Sequence, residues 1–385
     1  MEKVRLGIIG IGNMGSSHIR NFVDGKLPEF DIAAVCDIKA DRLDWAKEQL
    51  PGVKAFSDAS ALMDSGEVDA ILIATPHYFH PPMAIEALNK GLHVMSEKPA
   101  GVYTKQVREM NEVAKKSGKV FGIMFNQRTN CLYRKAHEIV HSGIYGELKR
   151  VTWIITDWYR TQSYYNSGGW RATWSGEGGG VLLNQCPHQL DLWQWICGMP
   201  EKITAVCHEG KWHDIEVEDD VMIYAQYKNG ATGTFITTTG DYPGTNRLEI
   251  TLDKAKIICE NKVLTITELS QSVSENIVSC GDGFTDIECK TFEAELDGRN
   301  EQHVEVMNKF AGAILRGEEL TAAGEEGING LTISNAAFLS SWLGKTVELP
   351  LDEDLFYNML QEKIKNSTYV KTVEEKVNED MSSTY

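Results

Sequence analysis

The 385-residue sequence lacks long apolar runs and closely spaced cysteines. Its apolar runs fall short of the roughly 18 residues that a membrane-spanning helix needs, so we expect no membrane contact. The eight cysteines are scattered without a Cys-x-x-Cys pair, which disfavours a zinc site or disulfide framework and is typical of reduced thiols. These absences favour an ordinary globular protein.

Positive charge is also scarce. The chain has 38 Lys and Arg against 55 Asp and Glu, a net charge of -17. Such a surface repels phosphate backbones and anionic lipid, so we expect neither nucleic acid nor a membrane as partner. The first residues, MEKVRLGIIG, have charges followed at once by a short apolar run and do not resemble a signal peptide. A cytoplasmic location is expected.

The length exceeds what one hydrophobic core usually serves, so we expect two domains. In residues 1–125 helical stretches alternate with near-continuous apolar runs, as expected of strands buried on both faces of a parallel sheet. The runs are VRLGIIGIG (4–12), IAAVCD (32–37), VDAILIAT (68–75), LHVMSEKP (92–99) and VFGIMF (120–125). This alternation predicts an α/β Rossmann domain with a doubly wound parallel sheet.

After residue 125 the βα rhythm stops. Strand-like stretches follow with turn signals such as Lys-Asn-Gly between them, a pattern typical of antiparallel hairpins. We therefore predict an α+β domain with a mostly antiparallel sheet over residues 126–367. The tail, 368–385, has no clear packing face and is left unassigned.

The segment Gly10-Ile11-Gly12-Asn13-Met14-Gly15 lies where the first strand meets the first helix. This glycine spacing provides a tight turn, close approach of a pyrophosphate and helix-strand packing, with the helix N-terminus facing the anion. Asp37, at the end of the second strand, is placed to bind ribose hydroxyls and to repel a 2′-phosphate. NAD is therefore favoured over NADP, although Lys39 and Arg42 weaken that preference.

Three further stretches carry a family resemblance: ATPHYFH (74–80), EKP (97–99) and GGGVLLNQCPHQLD (178–191). Together they resemble the glucose-fructose oxidoreductase, inositol dehydrogenase and MocA family, over nearly the whole chain. The resemblance implies a Rossmann domain and an α+β domain whose large sheet carries the substrate site and the interface of a homo-oligomer. Family members mostly oxidise sugar or cyclitol hydroxyls with NAD(P).

Two residues are candidates for proton transfer, since oxidising a secondary alcohol requires a base for the hydroxyl proton. Lys98 lies at the carboxyl end of a strand, where doubly wound sheets bind ligands; the alternative is an ordinary surface lysine. His188 follows Pro187, which restricts it to a helix start; the alternative is a packed helix histidine. The resemblance implies that both are catalytic, with Pro99 after a cis bond.

Asn184 departs from the family pattern, because many members have an acid four residues before the histidine. An amide cannot ionise or relay a proton, so we expect Asn184 to hydrogen-bond a substrate hydroxyl. The alternative is a helix N-cap, which asparagine favours. Asp191 either orients the imidazole of His188 or complements the helix N-terminus.

The remaining candidates surround these. Cofactor contacts are expected from Thr75, Pro76, His80, Glu97 and Arg171, with Glu97 and Arg171 assigned through the resemblance. A helix start is the alternative for His80, and His77 and His80 lack a third ligand of suitable spacing, so we expect no metal. Substrate contacts are expected from Trp170, from Arg128 in the interdomain cleft, and from Tyr159 and Tyr164 of an aromatic segment; sheet packing is the alternative for the tyrosines.

The leading hypothesis is a dehydrogenase that oxidises a ring hydroxyl of a sugar, cyclitol or glycoside with NAD, with C3 of a glycosyl group as a candidate position. A hydrolase or lyase is a second hypothesis, in which tightly held NAD oxidises and re-reduces the sugar around an elimination without net NADH. A third is an NAD-linked sensor without enzyme activity. Lys98 and His188 argue against the sensor.

Overall fold

A computed structural model of the chain describes residues 3–374. The first domain is built on a six-stranded parallel sheet in the order β3-β2-β1-β4-β5-β6. The strands are β1 (Val4–Ile9), β2 (Phe30–Cys36), β3 (Lys54–Phe56), β4 (Ala70–Ile73), β5 (His93–Ser96) and β6 (Phe121–Ile123). The order reverses between β1 and β4, which opens a crevice at the carboxyl ends of these strands.

Five helices accompany this sheet: α1 (Asn13–Val23), α2 (Ala40–Gln49), α3 (Ala59–Asp64), α4 (His80–Asn89) and α5 (Thr104–Ser117). The predicted doubly wound parallel sheet is confirmed, and each predicted apolar run overlaps one strand. The sequence reading missed β3, because its three residues are exposed or only half-buried and form no apolar run.

The second domain is built on a nine-stranded sheet in the order β14-β13-β12-β11-β7-β10-β9-β8-β15. The strands are β7 (Leu148–Ile155), β8 (Lys202–Glu209), β9 (Glu218–Gln226), β10 (Thr232–Thr238), β11 (Asn246–Leu252), β12 (Ala255–Glu260), β13 (Val263–Leu269), β14 (Cys289–Glu293) and β15 (Val347–Glu348). Neighbouring strands run antiparallel except β7 and β10. The predicted mostly antiparallel sheet is confirmed.

Within residues 126–374 the α-helices are α6 (Cys131–Ser142), α7 (Gln162–Asn166), α8 (Pro187–Cys197), α9 (Val273–Ser279), α10 (His303–Arg316), α11 (Gly327–Leu343) and α12 (Glu353–Asn366). Helices α6, α8 and α11 pack together on the large sheet. Trp193 of α8 stacks on Phe235 of β10 and Trp153 of β7 meets the same ring, so large aromatic side chains fill this core.

Helix α10 follows the second sheet in sequence but packs on the first. Its buried Val306, Met307 and Phe310 join one apolar cluster with Val4 and Leu6 of β1. The α10 segment of the predicted 126–367 domain therefore completes the core of the first domain.

The chain end returns to the second domain. Residues 368–374, for which the sequence indicates no packing face, lie along the segment that contains α7. The Lys371 ammonium group donates to the carbonyl of Tyr165 at 2.5 Å, and the Glu374 N–H donates to the carbonyl of Asn166 at 3.0 Å. Residues 375–385 of the predicted tail lie outside the described residues.

Candidate active site

A cavity of about 890 Å³ lies between the carboxyl ends of the parallel strands and the second domain. Its volume is in the range of small-molecule and cofactor sites. The sequence-predicted residues that line it are Gly10, Gly12, Asn13, Met14, Asp37, Thr75, Pro76, Glu97, Lys98, Tyr159, Tyr164, Trp170, Arg171, Asn184 and His188. The structure thus brings most of the predicted nucleotide and substrate residues to one cavity.

The glycine turn has two structural glycines and one that faces open space. Gly10 has φ +91°, and a Cβ there would lie 2.6 Å from the carbonyl oxygen of Ala74. A Cβ on Gly15 would collide with the carbonyl oxygen of Gly10, whereas one on Gly12 would meet nothing within 4 Å. Gly12 precedes α1 and offers no side-chain cap. The turn therefore leaves room for a ligand at the N-terminus of α1.

Asp37 lies at the edge of the cavity directly after β2. Its carboxylate accepts hydrogen bonds from the backbone N–H groups of Ile11 at 2.7 Å and Lys39 at 2.9 Å. The acid is thus held beside the glycine turn, as a ribose-binding residue requires. Lys39 and Arg42 line the same end of the cavity. Together with the open N-terminus of α1, these residues fit a dinucleotide.

Lys98 enters the cavity from the end of β5, ahead of a cis bond to Pro99. Its ammonium group donates to the backbone carbonyl of Asn184 at 2.9 Å, which connects the two domains. Burial lowers the pKa of Lys98 to about 8, with Glu97 opposing this shift and Arg171 adding to it. The lysine is therefore poised near neutral pH.

Glu97, the neighbour of Lys98, is buried and paired. Its carboxylate lies 2.8 Å from Nε2 of His18 on α1. Burial opposes ionisation, yet the hydrogen bond and charge of His18 outweigh it and lower the pKa of Glu97. Glu97 lines the cavity, and it also joins α1 to the end of β5.

His188 is the second residue of α8, so the predicted helix start at Pro187 is confirmed. The side chain is 3% exposed, and its ring lies edge-on to that of Phe125, with centroids 6.2 Å apart. Burial, aided by the charges of Lys98 and His303, holds its pKa well below the ordinary value. The imidazole is therefore neutral at neutral pH and able to accept a proton.

Asn184 lies at the cavity wall and does not cap α8. The N-cap residue is Cys186, so the N-cap alternative for Asn184 is wrong. Its side-chain amide donates to the carboxylate of Glu177, and its backbone carbonyl holds Lys98. Asn184 lines the cavity and Glu177 does not, so the Glu177 carboxylate lies behind the Asn184 amide.

The aromatic segment forms the opposite side of the cavity. The Arg171 guanidinium lies 4.6 Å from the ring centres of both Tyr164 and Trp170 and donates to the Tyr164 hydroxyl at 2.7 Å. Gln185 also donates to this hydroxyl, at 2.9 Å. Tyr159 is 48% exposed at the rim. These rings present flat apolar faces of the kind that pack on sugar C–H surfaces.

Two predicted residues lie away from the cavity surface. His80 is buried as the first residue of α4, with its ring nitrogens each 2.7 Å from a backbone carbonyl, one of Pro99 and one of Thr75. The helix-start interpretation of His80 agrees with this position, and the ring joins two backbone segments. The cofactor contact of His80 stays a prediction.

Arg128 is the second. It is buried and pairs with both carboxylate oxygens of Asp191, at 2.8 and 2.7 Å, and with Glu326 at 2.7 Å. These acids are the partners of the Arg128 guanidinium in the structure, and its substrate contact stays a prediction. Asp191 accepts hydrogen bonds from Arg128 and from the side chain of Gln194.

Sequence reasoning missed Glu177 and Gln185. Glu177 is the lone acid in the run Gly176-Glu177-Gly178, and a charged residue in a glycine run was a signal available in the sequence. Gln185 lines the cavity next to Asn184. No group of three potential metal ligands occurs within residues 3–374, and no helix of that range is long and apolar enough to cross a membrane.

Two family models match the chain. One, described as the oxidoreductase family with an NAD-binding Rossmann fold, matches residues 4–125. The other, described as the GFO/IDH/MocA C-terminal domain, matches residues 133–258. The two models together span both walls of the cavity and confirm the prediction of an NAD-binding Rossmann domain.

Curated relatives agree with these models. The rhizopine catabolism protein MocA of Rhizobium meliloti is 31% identical over 51% of this chain and only 58% of that protein. The myo-inositol 2-dehydrogenase of Thermotoga maritima is 25% identical over 90% of this chain and 98% of that enzyme. The D-glucoside 3-dehydrogenase of Escherichia coli is 26% identical over 59% of this chain and 68% of that enzyme.

A solved structure has the same architecture. The WlbA dehydrogenase of Bordetella pertussis, in complex with NADH and UDP-GlcNAcA, is 26% identical with a TM-score of 0.75, covering 91% of this chain and all of that one. Sequence models, relatives and fold agree, and the chain belongs to the GFO/IDH/MocA family of NAD-binding oxidoreductases.

Proposed function

We propose that the protein is an NAD-dependent dehydrogenase that oxidises a ring hydroxyl of a sugar, cyclitol or glycoside. One observation carries the proposal: Lys98 from the first domain and His188 from the second line the same cavity as the glycine turn. A redox site needs its proton-handling groups beside its nucleotide site, and this cavity combines both. NAD, when bound, supplies the hydride acceptor.

His188 is the group that accepts the hydroxyl proton. Its pKa lies well below the ordinary value because the ring is buried, so the neutral form prevails and no prior deprotonation is needed. Lys98, with a pKa of about 8, carries a proton over most of the neutral range. Its ammonium group stabilises negative charge that develops on the substrate oxygen. The Asn184 carbonyl fixes the lysine in place.

The substrate class follows from the aromatic side of the cavity and from the relatives. Trp170, Tyr164 and Arg171 form a stacked surface, and the polar side chains of Asn184 and Gln185 line the same cavity. Sugar rings combine apolar C–H faces with hydroxyl groups, so such a site suits them. The D-glucoside 3-dehydrogenase and myo-inositol 2-dehydrogenase relatives support glycosides and cyclitols, and C3 of a glycosyl group is our proposed position.

A panel of methyl glycosides, free sugars and inositols, each with NAD, tests the proposal through NADH absorbance. We expect NADH formation with at least one member and a fall in kcat/KM above about pH 8, as Lys98 loses its proton. Release of an aglycone without net NADH would instead support the redox hydrolase or lyase. Tight NAD binding with neither reaction across the panel would contradict the proposal.

We also propose a homo-oligomer through the second sheet. Met222 and Tyr224 of β9 and Val206 of β8 are 53%, 41% and 51% exposed on the face opposite α11. Exposed apolar side chains on a sheet face favour burial against another copy. Light scattering measures the molecular mass of the parent, expected to be an oligomer, and of Met222→Lys, expected to be smaller. A monomeric parent would contradict this part of the proposal.

A further inference from the structure

The Asn184 side chain lies between a buried carboxylate and the cavity. Its Nδ2 group donates to Oε1 of Glu177. No donor within residues 3–374 reaches its Oδ1 atom, and Asn184 is part of the cavity wall. The amide oxygen is therefore the end of the side chain that is available to a ligand.

Each carboxylate oxygen of Glu177 accepts one hydrogen bond. The residue is 1% exposed, and its second oxygen accepts from the backbone N–H of Ala172 at 2.6 Å. Two donors on two carboxylate oxygens match the ionised form. Burial raises the pKa of Glu177, while the nearby charge of Arg171 and the bonds from Asn184 and Ala172 oppose the rise.

The position of Glu177 is fixed by its own backbone. Its N–H donates to the carbonyl of Thr173 at 2.9 Å, and its carbonyl lies 3.1 Å from Nδ1 of His77 across the domain boundary. The carboxylate is thus a rigid acceptor. An amide has a donor end and an acceptor end, and a rigid carboxylate accepts only the donor end.

We propose that Glu177 is a positioning residue that holds the Asn184 amide with its oxygen toward the cavity, so that the site selects substrates with a hydrogen-bond-donating hydroxyl beside the reacting carbon. The placement beside that carbon follows from Lys98, whose ammonium group bonds the backbone carbonyl of the same Asn184. This inference rests on the proposed dehydrogenase function.

The variant Glu177→Gln is expected to reverse the amide. The Ala172 N–H still requires an acceptor, so the new amide oxygen turns to it and the new NH2 group faces Asn184. The Asn184 oxygen must then turn to accept from that NH2 group. Its own NH2 group then faces the cavity, and the wall changes from an acceptor to a donor without a change in size.

Substrate analogues measure this reversal. For the panel substrate, the hydroxyls on either side of the oxidised carbon are replaced one at a time by hydrogen and by fluorine. Fluorine accepts hydrogen bonds weakly and cannot donate them. In the parent protein we expect both analogues at one position to lose about tenfold in kcat/KM. The fluorine-to-hydrogen ratio of kcat/KM should then rise about threefold or more in Glu177→Gln.

Comparing ratios between proteins removes the intrinsic effect of fluorine on the reaction. Glu216→Gln is the matched control, since Glu216 accepts from the backbone N–H of Trp174 in the same loop but lies outside the cavity wall. Its ratio should equal that of the parent. An unchanged fluorine-to-hydrogen ratio in folded Glu177→Gln would overturn the inference. So would a parent protein whose kcat/KM falls for the analogues at neither position.

A spectroscopic measurement on the parent protein tests the inference if Glu177→Gln does not fold or if no compound of the panel is a substrate. In parent protein labelled with ¹⁵N-asparagine, the Asn184 side-chain signal is identified by its loss in Asn184→Ser. One of its two amide protons should lie downfield of those of exposed Asn261, because it bonds a carboxylate. A shift like that of Asn261 would overturn the inference, whereas an inactive panel with the downfield signal would contradict only the dehydrogenase.

Discussion

The two walls of the cavity are built by different means. The nucleotide wall, residues 10–37, depends on backbone. It consists of the glycine turn, the N-terminus of α1 and Asp37, whose carboxylate accepts from backbone N–H groups. The substrate wall depends on side chains whose partners lie far away in the sequence. The Lys98 ammonium group, for example, bonds the backbone carbonyl of Asn184, 86 positions away. Substitutions in the two walls should therefore have different effects. Those in the nucleotide wall should lower the affinity for NAD, and those in the substrate wall should lower turnover.

The largest expected effect is on turnover. Lys98→Met and His188→Ala should each lower kcat by roughly 10² to 10⁴, as for general acid-base groups, with little change in the Kd for NAD. Steady-state kinetics and calorimetric titration measure the two quantities. The exposed controls Lys116→Met and His208→Ala should match the parent. Unchanged kcat in either site variant would contradict a catalytic role for that residue.

Removing Arg128 should affect stability and leave substrate affinity unchanged. Arg128→Met leaves the buried carboxylate of Asp191 without its cation, and breaking a buried ion pair lowers the free energy of unfolding by about 3 to 5 kcal/mol. Arg134→Met, at the more exposed pair with Asp297, should cost about 1 kcal/mol or less. Urea unfolding measures both. A raised KM for folded Arg128→Met at parent-like stability would support its predicted substrate role.

The glycine turn separates folding from binding. Gly10→Ala forces a Cβ at φ +91° toward the carbonyl of Ala74 and should destabilise the protein by about 1 to 3 kcal/mol. Gly12→Ala meets no protein atom, so its melting temperature should match the parent while NAD affinity falls, because the new methyl group occupies ligand space. Equal melting temperatures for the two variants would contradict this assignment.

A charge at position 184 should make stability depend on pH. In Asn184→Asp the new carboxylate faces Glu177, so the two share a proton and a pKa in the folded protein is raised above the unfolded value. The folded state then binds more protons than the unfolded state, and stability falls as pH rises from about 4 through the raised pKa. We expect a loss of about 1 to 3 kcal/mol by pH 8 beyond that of the parent, and a smaller additional loss in Asn184→Ser, which adds no second carboxylate.

The smallest effect concerns nucleotide choice. Asp37→Ala removes the acid that repels a 2′-phosphate, so the preference for NAD over NADP should narrow by about tenfold. Calorimetric titration of both nucleotides measures it. Equal or better NADP affinity in the parent would show that Lys39 and Arg42 dominate this end of the cavity.

The nucleotide wall was predictable from sequence because its function depends on local geometry. A glycine turn between strand and helix has the same form wherever it occurs, so Gly10, Gly12 and Asp37 could be placed from spacing alone. The parallel strands were readable for a related reason: burial on both faces leaves a continuous apolar run. The half-exposed β3 has no such run.

The substrate wall was predictable only as a set of residue types. Asparagine before a helix suggests a cap, and only the fold shows that Cys186 takes that place. Arg128 in a cleft motif suggests a ligand, yet its partner Asp191 lies 63 positions away. Charged and amide side chains take whichever partner folding brings within reach, so their roles follow from tertiary contacts that spacing does not specify.

Helix α10 makes the first domain dependent on residues synthesised late. Val306, Met307 and Phe310 cover Val4 and Leu6 of the first strand, so a chain that ends at residue 125 leaves that face of the sheet open to water. The NAD-binding unit recognised in residues 4–125 is thus complete as a sequence pattern and incomplete as a folded body. During synthesis, the core of this unit is completed only after nearly two hundred further residues have been made. An isolated 1–125 fragment should therefore be prone to aggregation.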